Sequence, residues 1–236
     1  MRGLTAAPML IHLRRFSLLQ RPDLQKTNWK QDVVYLFQFK RSPVVPNISP
    51  FCLKTETFIR AHELKHEVIG SWTLRSKEDS QIILWHLIKH FKIDERLSPE
   101  QQGISRAVDR LIEGSLFYPI TYLRSVENAK NCVNRNVSGL PLPGFLVQYV
   151  ANKLSKAAKS KLRAEGTALD QILGDKKFLI GARPTTPDFT LFGHLASVYY
   201  LPFRTPLADL LENEYPRVRL LLERMRIHYW SDWKKS

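Results

Sequence analysis

The sequence contains little cysteine and no long apolar run. Its 236 residues include only two cysteines, Cys52 and Cys132, too few for a disulfide framework or for a zinc site built from thiolates. The longest uncharged stretches, 136–152 and 189–203, are shorter than the roughly 18 apolar residues that a membrane-spanning helix needs. No residue pattern recurs at a fixed period, which excludes collagen-like, repeat and low-complexity proteins. The composition therefore predicts an ordinary globular protein rather than a disulfide-rich or integral membrane protein.

Acidic residues are scarce relative to basic ones. The chain has 36 lysines and arginines against 22 aspartates and glutamates, a formal net charge of +14. A basic balance favours anionic partners, namely nucleic acid, an acidic membrane surface or acidic proteins. The basic residues are scattered, however, and no zinc finger or aromatic RNP strand accompanies them. We therefore expect protein partners, with an anionic membrane surface as a further candidate, and no nucleic-acid partner.

Residues 1–31 have the composition of a basic, flexible leader. Several arginines precede the first acidic residue, Asp23, and the apolar residues between Leu10 and Leu19 would share one helical face. This pattern is typical of a mitochondrial transit peptide. It is equally compatible with a surface-lying extension of a cytosolic protein. The sequence leaves both interpretations open.

The part of the chain that follows predicts a small α/β unit over residues 33–91. Residues 33–39 form an apolar run of strand length, and residues 66–69 form a second, shorter one. Between them Ser49 is a favourable N-cap residue, and Pro50 suits the first position of a helix because its missing N–H costs nothing there. Strand, helix and strand in this order indicate a βαβ unit.

The remainder of the chain predicts an all-helical unit over residues 98–236. Ser98, followed by a proline and by Glu100 in the first turn, opens its first helix. Before it, Asp79 and Ser80 cap the last helix of the α/β unit. The predicted helices of the helical unit span 99–127, 143–165, 167–173, 186–200 and 214–229.

The turn into the first helix carries Ser49-Pro50-Phe51-Cys52. It resembles the turn of thioredoxin-like proteins, which place a cysteine where the helix N-terminus stabilises its thiolate. Here Ser49 occupies that position, and the Cys52 thiol lies one turn further in. A hydroxyl there would hydrogen-bond a bound thiolate, which makes Ser49 the candidate catalytic residue if the protein is active. The alternative, which we favour, is that Ser49 is an N-cap and Cys52 a buried apolar residue.

A second motif, Thr185-Thr186-Pro187-Asp188, precedes an apolar run. Thr185 with Asp188 three residues on is a capping box, in which the Asp188 carboxylate accepts a hydrogen bond from the cap backbone. The box predicts a helix start and a structural role for both residues. His194, within the run, is more typical of a core histidine than of a ligand, because no second ligand lies at metal spacing. No metal site is predicted.

Taken together, these motifs resemble the glutathione-transferase fold, in which a thioredoxin-like domain precedes a helical domain with a Ser/Thr-x-x-Asp box. Longer segments are similar to the failed-axon-connections family, a branch related to the metaxins. These segments are 48–57, 97–101, 173–178, 192–195 and 229–233. The resemblance covers residues 33–233. It implies an α/β thioredoxin-like N-terminal domain with a truncated sheet, followed by an all-α domain like the C-terminal domain of glutathione S-transferases.

The resemblance breaks down after the second strand. In the transferase fold a β-hairpin follows this strand and opens with a cis-proline whose backbone pairs with glutathione. Residues 70–79 contain no proline and no second apolar run, whereas two strands and their connections need about 20 residues. We therefore predict that the hairpin is missing. Asp79 and Ser80 still resemble the acid–serine pair that holds the γ-glutamyl end of glutathione, so these residues and Ser49 are weak remnants of a glutathione site.

Three functions follow from the resemblance. The first, which we favour, is a non-catalytic interaction or scaffold protein of the cytoplasm, linked to axon development, with no cofactor and with a homodimer as a possible form. The second is a glutathione-dependent transferase, in which Ser49 polarises the sulfur while Asp79 and Ser80 hold the peptide. The third is a metaxin-like import component of the mitochondrial outer membrane, although residues 232–236 offer no anchoring tail. The first function survives the loss of the hairpin, whereas the second needs the missing cis-proline.

Overall fold

The computed structural model describes residues 26–71, 79–124, 128 and 155–233. Most of the predicted leader, Cys132, the residues directly before Asp79 and the first part of the helix predicted over 143–165 lie outside these ranges. The described elements, in chain order, are β1 Val34–Phe39, α1 Pro50–Ala61, β2 His66–Ser71, α2 Ser80–His90, α3 Pro99–Leu111, a π-helical turn Ile112–Leu116, α4 Phe117–Tyr122, α5 Ser155–Leu173, α6 Thr186–Tyr199, α7 Pro206–Asn213 and α8 Pro216–Tyr229.

Strands β1 and β2 form a parallel, two-stranded sheet within the described ranges. Val34 lies opposite His66, and Phe39 lies opposite Ser71. Because parallel strands need a crossover connection, α1 runs between them and completes the predicted βαβ unit. Two strands do not make a stable sheet by themselves, so this unit depends on the helices packed against it. The truncated thioredoxin-like sheet is confirmed for this part of the chain.

Helix α1 is the buried centre of the molecule. It begins after the N-cap Ser49, with Pro50 in its first turn, and nine of its twelve residues are buried. It packs along α6, where Gly193 lets the two backbones approach closely. A Cβ at Gly193 would lie 2.5 Å from the carbonyl oxygen of Pro50 and 2.8 Å from the backbone nitrogen of Lys54. Glycine therefore sets the separation at which the α/β unit joins the helical unit.

The helical unit shares one core with the α/β unit. Helix α3 begins with a capping box formed by Ser98 and Gln101, and α3, the π-helical turn and α4 run without a gap from Pro99 to Tyr122. Buried apolar side chains of α3, α5, α6, α7 and α8 belong to the same cluster as those of α1 and β1. Over residues 98–124 and 155–233 the regular elements of this unit are all helices, as predicted.

Helix α5 differs from the sequence-based prediction. The sequence predicts an interruption at Gly166, but α5 passes through it from Ser155 to Leu173. A Cβ at Gly166 would lie 2.5 Å from the Tyr215 ring. This glycine therefore permits the close approach of an aromatic side chain and does not end a helix, a distinction that only the tertiary contact reveals.

Helix α7 is absent from the sequence-based prediction. Thr205 caps it, and Pro206 stands at its first position, in the same pattern that identified the start of α1. Its eight residues give two turns of helix, a length at which apolar periodicity is a weak signal. None of the described helices is both long enough and apolar enough to cross a membrane.

Candidate functional site

The sequence-predicted site residues lie at the beginnings of α1 and α2. Ser49 precedes α1, whereas Asp79 precedes α2 and Ser80 begins it. A buried hydrogen bond links the second turn of α1 to the first turn of α2, because the Lys54 ammonium donates to Gln81 Oε1 at 2.7 Å. The structure therefore brings these two helix starts to the junction between the α/β unit and the helical unit.

The Ser49 hydroxyl caps α1. Its Oγ accepts a hydrogen bond from the backbone N–H of Cys52 at 3.4 Å, and its own backbone N–H donates to Asn47 Oδ1 at 2.9 Å. Burial raises the pKa of the Cys52 thiol above its ordinary value, and the hydrogen bond with Ser49 only partly opposes this effect. Cys52 is thus a neutral buried thiol, whereas nucleophilic cysteines are thiolates.

Asp79 and Ser80 also make contacts within the chain. Asp79 is the N-cap of α2, and its Oδ1 accepts from the backbone N–H of Gln81 at 2.7 Å. Ser80 is 5% exposed, and its hydroxyl makes a long hydrogen bond of 3.5 Å to Glu113 Oε1 on the π-helical turn. A ligand carboxylate at Ser80 would compete with this contact and would face the negative charge of Glu113.

A buried charge cluster lies beneath these helix starts, and the sequence analysis did not find it. Lys54 is fully buried, and besides Gln81 it donates to Glu113 Oε1 at 2.8 Å and lies 3.7 Å from Asp109 Oδ1. Asp109 accepts in turn from the Thr190 hydroxyl at 2.5 Å. Lys54 is the fully buried cation between two carboxylates that Arg106 and Arg110 also approach, at 3.3 Å from Asp109 and 3.6 Å from Glu113. The cluster lies where α1, α3, the π-helical turn and α6 meet.

One feature of the sequence does indicate that charge is buried here. Leu53, Phe58 and Ile59 of α1 are each fully buried and point to different sides of the helix. A helix that is apolar on all sides is a buried one, so the charged residues Lys54 and Glu56 between them are candidates for burial. Their partners are not apparent from the sequence, because Glu113 lies 59 positions away from Lys54.

A second buried carboxylate ties α1 to the aromatic residues that follow α8. Glu56 is fully buried and accepts from both terminal nitrogens of Arg41, at 2.8 and 2.5 Å, and from Arg60 Nε at 3.2 Å. Arg60 also donates to both carboxylate oxygens of Asp232, at 2.7 and 3.0 Å, and lies 3.9 Å from the centre of the Trp230 ring. The final aromatic stretch is thus part of the fold around α1.

The predicted capping box holds the start of α6 inside the core. The fully buried Asp188 carboxylate accepts from the backbone N–H groups of Thr185 and Leu179, each at 2.8 Å. Burial raises the pKa of Asp188 to about 6 in spite of these bonds. His194 is fully buried too, with Nδ1 2.8 Å from the Thr190 carbonyl oxygen, and burial lowers the pKa of His194 to about 4. Both side chains thus make these hydrogen bonds inside the core.

An aromatic wall lies beside the Ser49 turn. Phe51 is 37% exposed, and its ring centre lies 5.2 Å from that of Phe117 and 5.3 Å from that of His194. Tyr118, next to Phe117, is 63% exposed. The described residues around the starts of α1 and α2 thus comprise a partly exposed aromatic surface and polar groups that are hydrogen-bonded within the chain. Across the described ranges, no group of three His, Cys, Asp or Glu side chains could hold a metal ion.

Two family models match the chain. The model described as "Glutathione S-transferase N-terminal domain" matches residues 50–130, and the one described as "Glutathione S-transferase, C-terminal domain" matches residues 162–225. The two matches follow the order in which the α/β and helical units occur.

A similar protein is Failed axon connections of Drosophila melanogaster, which is 29% identical over 260 residues, 91% of this chain and 62% of that protein. The chain thus spans less than two thirds of the length of this relative. The aligned region of 260 residues is longer than the 236 residues of the chain itself, so it includes positions that this chain lacks.

Solved structures share the fold at low sequence identity. Glutathione S-transferase 1-6 from Anopheles dirus species B has a TM-score of 0.59 at 16% identity, covering 85% of this chain and 91% of that one. Glutathione S-transferase unclassified 2 from Bombyx mori has a TM-score of 0.58 at 12% identity, covering 84% and 90%. A Ceriporiopsis subvermispora glutathione S-transferase in complex with glutathione has a TM-score of 0.57 at 15% identity, covering 83% and 96%. Identities this low show the fold alone.

Proposed function

The chain belongs to the glutathione S-transferase-fold family that includes Failed axon connections, and we propose that within this family it is a non-catalytic interaction protein. The proposal separates the fold, which is shared with transferases, from the chemistry, which depends on particular side chains.

One observation carries this proposal: the candidate glutathione-site residues are bonded within the chain. The Ser49 hydroxyl caps α1, the Asp79 carboxylate caps α2, and the Ser80 hydroxyl is buried beside Glu113. A transferase must hold a thiolate in place and lower its pKa through several donors aimed at the sulfur. In the transferase fold, the strand that pairs with glutathione begins at a cis-proline after the second strand. Residues 70–79, which follow that strand here, contain no proline.

The resemblance to Failed axon connections favours a role in axon development, with other proteins as partners, in the cytoplasm. The net charge of +14 favours partners or surfaces of negative charge. A full-length chain carrying a fluorescent protein at its C-terminus is expected to spread through the cytoplasm of neurons. Import into mitochondria with removal of residues 1–31 would instead identify that segment as a transit peptide.

Catalysis is tested by two assays on the full-length protein. We expect no measurable conjugation of glutathione to an aryl chloride and weak or no retention on immobilised glutathione. The variant Ser49→Ala should leave this null result unchanged and lower only the thermal midpoint, because it removes a cap.

The matched control is Ser98→Ala, which removes the exposed cap of α3 away from the two helix starts. Both variants are expected to shift stability by similar amounts. A conjugating activity that is lost in Ser49→Ala but kept in Ser98→Ala would overturn the proposal and identify Ser49 as the activating hydroxyl.

A further inference from the structure

The loop that follows β1 and the residues that follow α8 enclose a cleft. It has a volume of about 300 Å³ and is lined by residues 41–46, Trp230, Asp232 and Trp233. This volume is at the lower end of the range of small-molecule sites, about 300–1,000 Å³. Ser49, Asp79 and Ser80 are not among its lining residues, so the cleft is distinct from the two helix starts described above.

Two indole hydrogen bonds hold the cleft in shape. Trp230 Nε1 donates to the Thr57 hydroxyl of α1 at 3.0 Å, and Trp233 Nε1 donates to the Val44 carbonyl at 3.1 Å. The first bond fixes one side of the cleft to the buried helix α1, and the second joins its two sides directly. The cleft is therefore formed before a ligand binds, which lowers the entropy cost of binding.

One part of the cleft surface is apolar and rigid. Residues 43–46 have the sequence Pro-Val-Val-Pro. The rings of Trp230 and Trp233, whose centres lie 6.3 Å apart, add flat aromatic area. Small-molecule sites typically combine such walls with a few polar groups that orient the ligand. The body of a ligand that fits here is therefore apolar.

Arg41 supplies hydrogen-bond donors to the cleft. Glu56 accepts one N–H from each of its terminal nitrogens, at 2.8 and 2.5 Å. A guanidinium carries five N–H groups, and no described residue accepts from the other three. The Arg41 side chain is 44% exposed where it lines the cleft. Because Glu56 balances its charge, Arg41 acts here as a directional donor for a carboxylate and not as a source of net positive charge.

Asp232 supplies the complementary acceptor. Arg60 donates to both of its oxygens, at 2.7 and 3.0 Å, and holds the pKa of Asp232 below its ordinary value. The carboxylate is therefore ionised at neutral pH. Its two oxygens together accept about four hydrogen bonds, and the side chain is 63% exposed. Asp232 can therefore accept from a ligand ammonium while it stays bonded to Arg60.

The charges around the cleft select a ligand that carries both signs. Arg41 and Asp232 line the same cleft but form no ion pair with each other, since each is paired with a residue of α1, Glu56 and Arg60 respectively. The charges of these four residues cancel. A ligand with a single charge would be attracted by one group of the cleft and repelled by the other, whereas a zwitterion is attracted by both.

We propose that this cleft binds a free α-amino acid with an apolar side chain. The carboxylate of the amino acid accepts from Arg41, its ammonium donates to Asp232, and its side chain lies against residues 43–46 and the two indoles. The inference goes beyond the interaction role proposed above and does not depend on it, because it concerns a small molecule and residues that the interaction role does not use.

Three ligands test the two charged contacts on the unaltered full-length protein. L-phenylalanine carries both charges, phenylpropionate lacks the ammonium, and phenethylamine lacks the carboxylate. Isothermal titration calorimetry measures the three affinities. We expect phenylalanine to bind and each analogue to bind at least about tenfold more weakly, the equivalent of about 1.4 kcal/mol. If phenylalanine does not bind, or if either analogue binds as tightly, the inference is wrong.

A fourth ligand and the indole signals test the apolar contact. L-glutamate keeps the zwitterion but has a charged side chain, so it should bind more weakly than phenylalanine. In NMR spectra, phenylalanine should shift the indole N–H signals of Trp230 and Trp233 and leave that of Trp85, an exposed residue of α2, unchanged. Equal binding of glutamate, or a shift of the Trp85 signal alone, would contradict the proposed site.

The variant Asp232→Asn tests the ammonium contact, because asparagine keeps the size of the side chain and removes its charge. It should weaken the binding of phenylalanine at least about tenfold and leave that of phenylpropionate unchanged. Asp209→Asn is the matched control, since Asp209 is also exposed and paired with an arginine, Arg204, and it should change neither affinity. Equal weakening of both ligands by Asp232→Asn would overturn the assignment of Asp232.

The variant Arg41→Lys tests the carboxylate contact. Lysine keeps a positive charge beside Glu56 but lacks the planar set of donors that serves two carboxylates at once. It should weaken phenylalanine and phenylpropionate and leave phenethylamine unchanged. Arg204→Lys, at an exposed arginine with two carboxylate partners, is the matched control and should change none of the three. Unaltered binding of phenylalanine to Arg41→Lys would refute the contact. None of these outcomes depends on whether the protein conjugates glutathione, which is assayed separately.

Discussion

The α1–α6 junction and the β1–β2 sheet are covered to very different degrees. In the junction, nine of the twelve residues of α1 and thirteen of the fourteen residues of α6 are buried. In the sheet, three of the six residues of β1 are buried and none of the six of β2. Helix α1 belongs to the junction and also connects β1 to β2. The difference in burial therefore arises from the other elements that pack against each region. Most of the favourable burial is therefore in the junction.

This contrast explains how a chain with a shortened sheet keeps its fold. The junction is completed by contacts between helices, with Lys54 paired to Glu113 and with Gly193 packed on Pro50. None of these contacts involves the residues between β2 and α2. A deletion there removes cover from the sheet and leaves the junction intact. A change of this kind affects the candidate ligand site and the cover of the sheet more than the stability of the fold.

The largest effect is expected from Lys54→Met in the junction. Removing the cation leaves the buried carboxylates of Asp109 and Glu113 with only the partly exposed Arg106 and Arg110 as partners. Loss of one partner of a buried ion pair costs up to about 3–5 kcal/mol in the free energy of unfolding. Urea unfolding followed by tryptophan fluorescence measures the loss. As a control, Lys89→Met replaces a lysine that is exposed at the end of α2 and should change stability by about 0.5 kcal/mol or less.

The double variant Lys54→Met, Glu113→Gln sharpens this test. It removes the nearer of the two buried charges, so it should recover part of the stability that Lys54→Met loses. If the double variant is as unstable as the single one, the loss comes from packing of the lysine stem and not from unbalanced charge.

The next largest effect is expected from Gly193→Ala, also in the junction. The added Cβ would meet backbone atoms of Pro50 and Lys54 at 2.5 and 2.8 Å, and neither can move without displacing α1. We expect a loss of about 1–3 kcal/mol from this overpacking. Gly103→Ala is the matched control, because Gly103 lies within α3 with no atom within 4 Å of the added Cβ. It should raise stability by about 0.5–1 kcal/mol.

The pH dependence of stability tests the two buried titratable groups of α6. The pKa of Asp188 rises from 3.8 to about 6 on burial, so between these values the folded protein holds a proton that the unfolded chain releases. Its contribution to stability therefore decreases as pH rises through this window. The pKa of His194 falls from 6.5 to about 4 on burial, so here the unfolded chain holds the extra proton. The contribution of His194 increases as pH rises through nearly the same window.

The two slopes oppose each other, so stability of the wild-type protein should vary little between pH 4 and 6.5 on account of this pair. Asp188→Asn should make stability increase with pH, and His194→Asn should make it decrease. Asp188→Asn should also cost about 1–2 kcal/mol at neutral pH, since it weakens the cap of α6. Thermal midpoints of both variants are measured between pH 4 and 6.5. If the midpoints of the two variants change with pH in the same direction, the opposite contributions assigned to Asp188 and His194 are wrong.

Local rules were sufficient to predict most of the elements. Ser49-Pro50 and Ser98-Pro99 begin helices as their residue types require, and the β-rich run at 33–39 contains β1. Gly166 shows where such rules fail, because a glycine that ends a helix and one that admits the Tyr215 ring look the same in sequence. The contact of Gly166 with the ring forms only when Tyr215, which directly precedes α8 and lies about 50 positions further along the chain, packs against α5.

The candidate site was predictable in its residues but not in their environment. The sequence places Ser49, Asp79 and Ser80 at helix starts, and the structure has them there. That Ser80 faces Glu113 follows from the π-helical turn, whose geometry has no recognisable sequence signal. Lys54 was missed because a lysine is rarely buried, and its two carboxylate partners become neighbours only when α3 packs on α1.

The smallest effect is expected in the sheet, from Phe37→Thr compared with Leu36→Thr. These neighbouring residues lie on opposite faces of β1, and threonine suits a strand at both positions. Leu36 is 6% exposed and belongs to the core, so its replacement should cost about 2 kcal/mol or more. Phe37 is only half-buried on the less covered face, so its replacement should cost about 1 kcal/mol or less. Urea unfolding of the two full-length variants measures the difference. Equal costs would show that the outer face of the sheet is covered as fully as the inner one, and the contrast with the junction would then no longer hold.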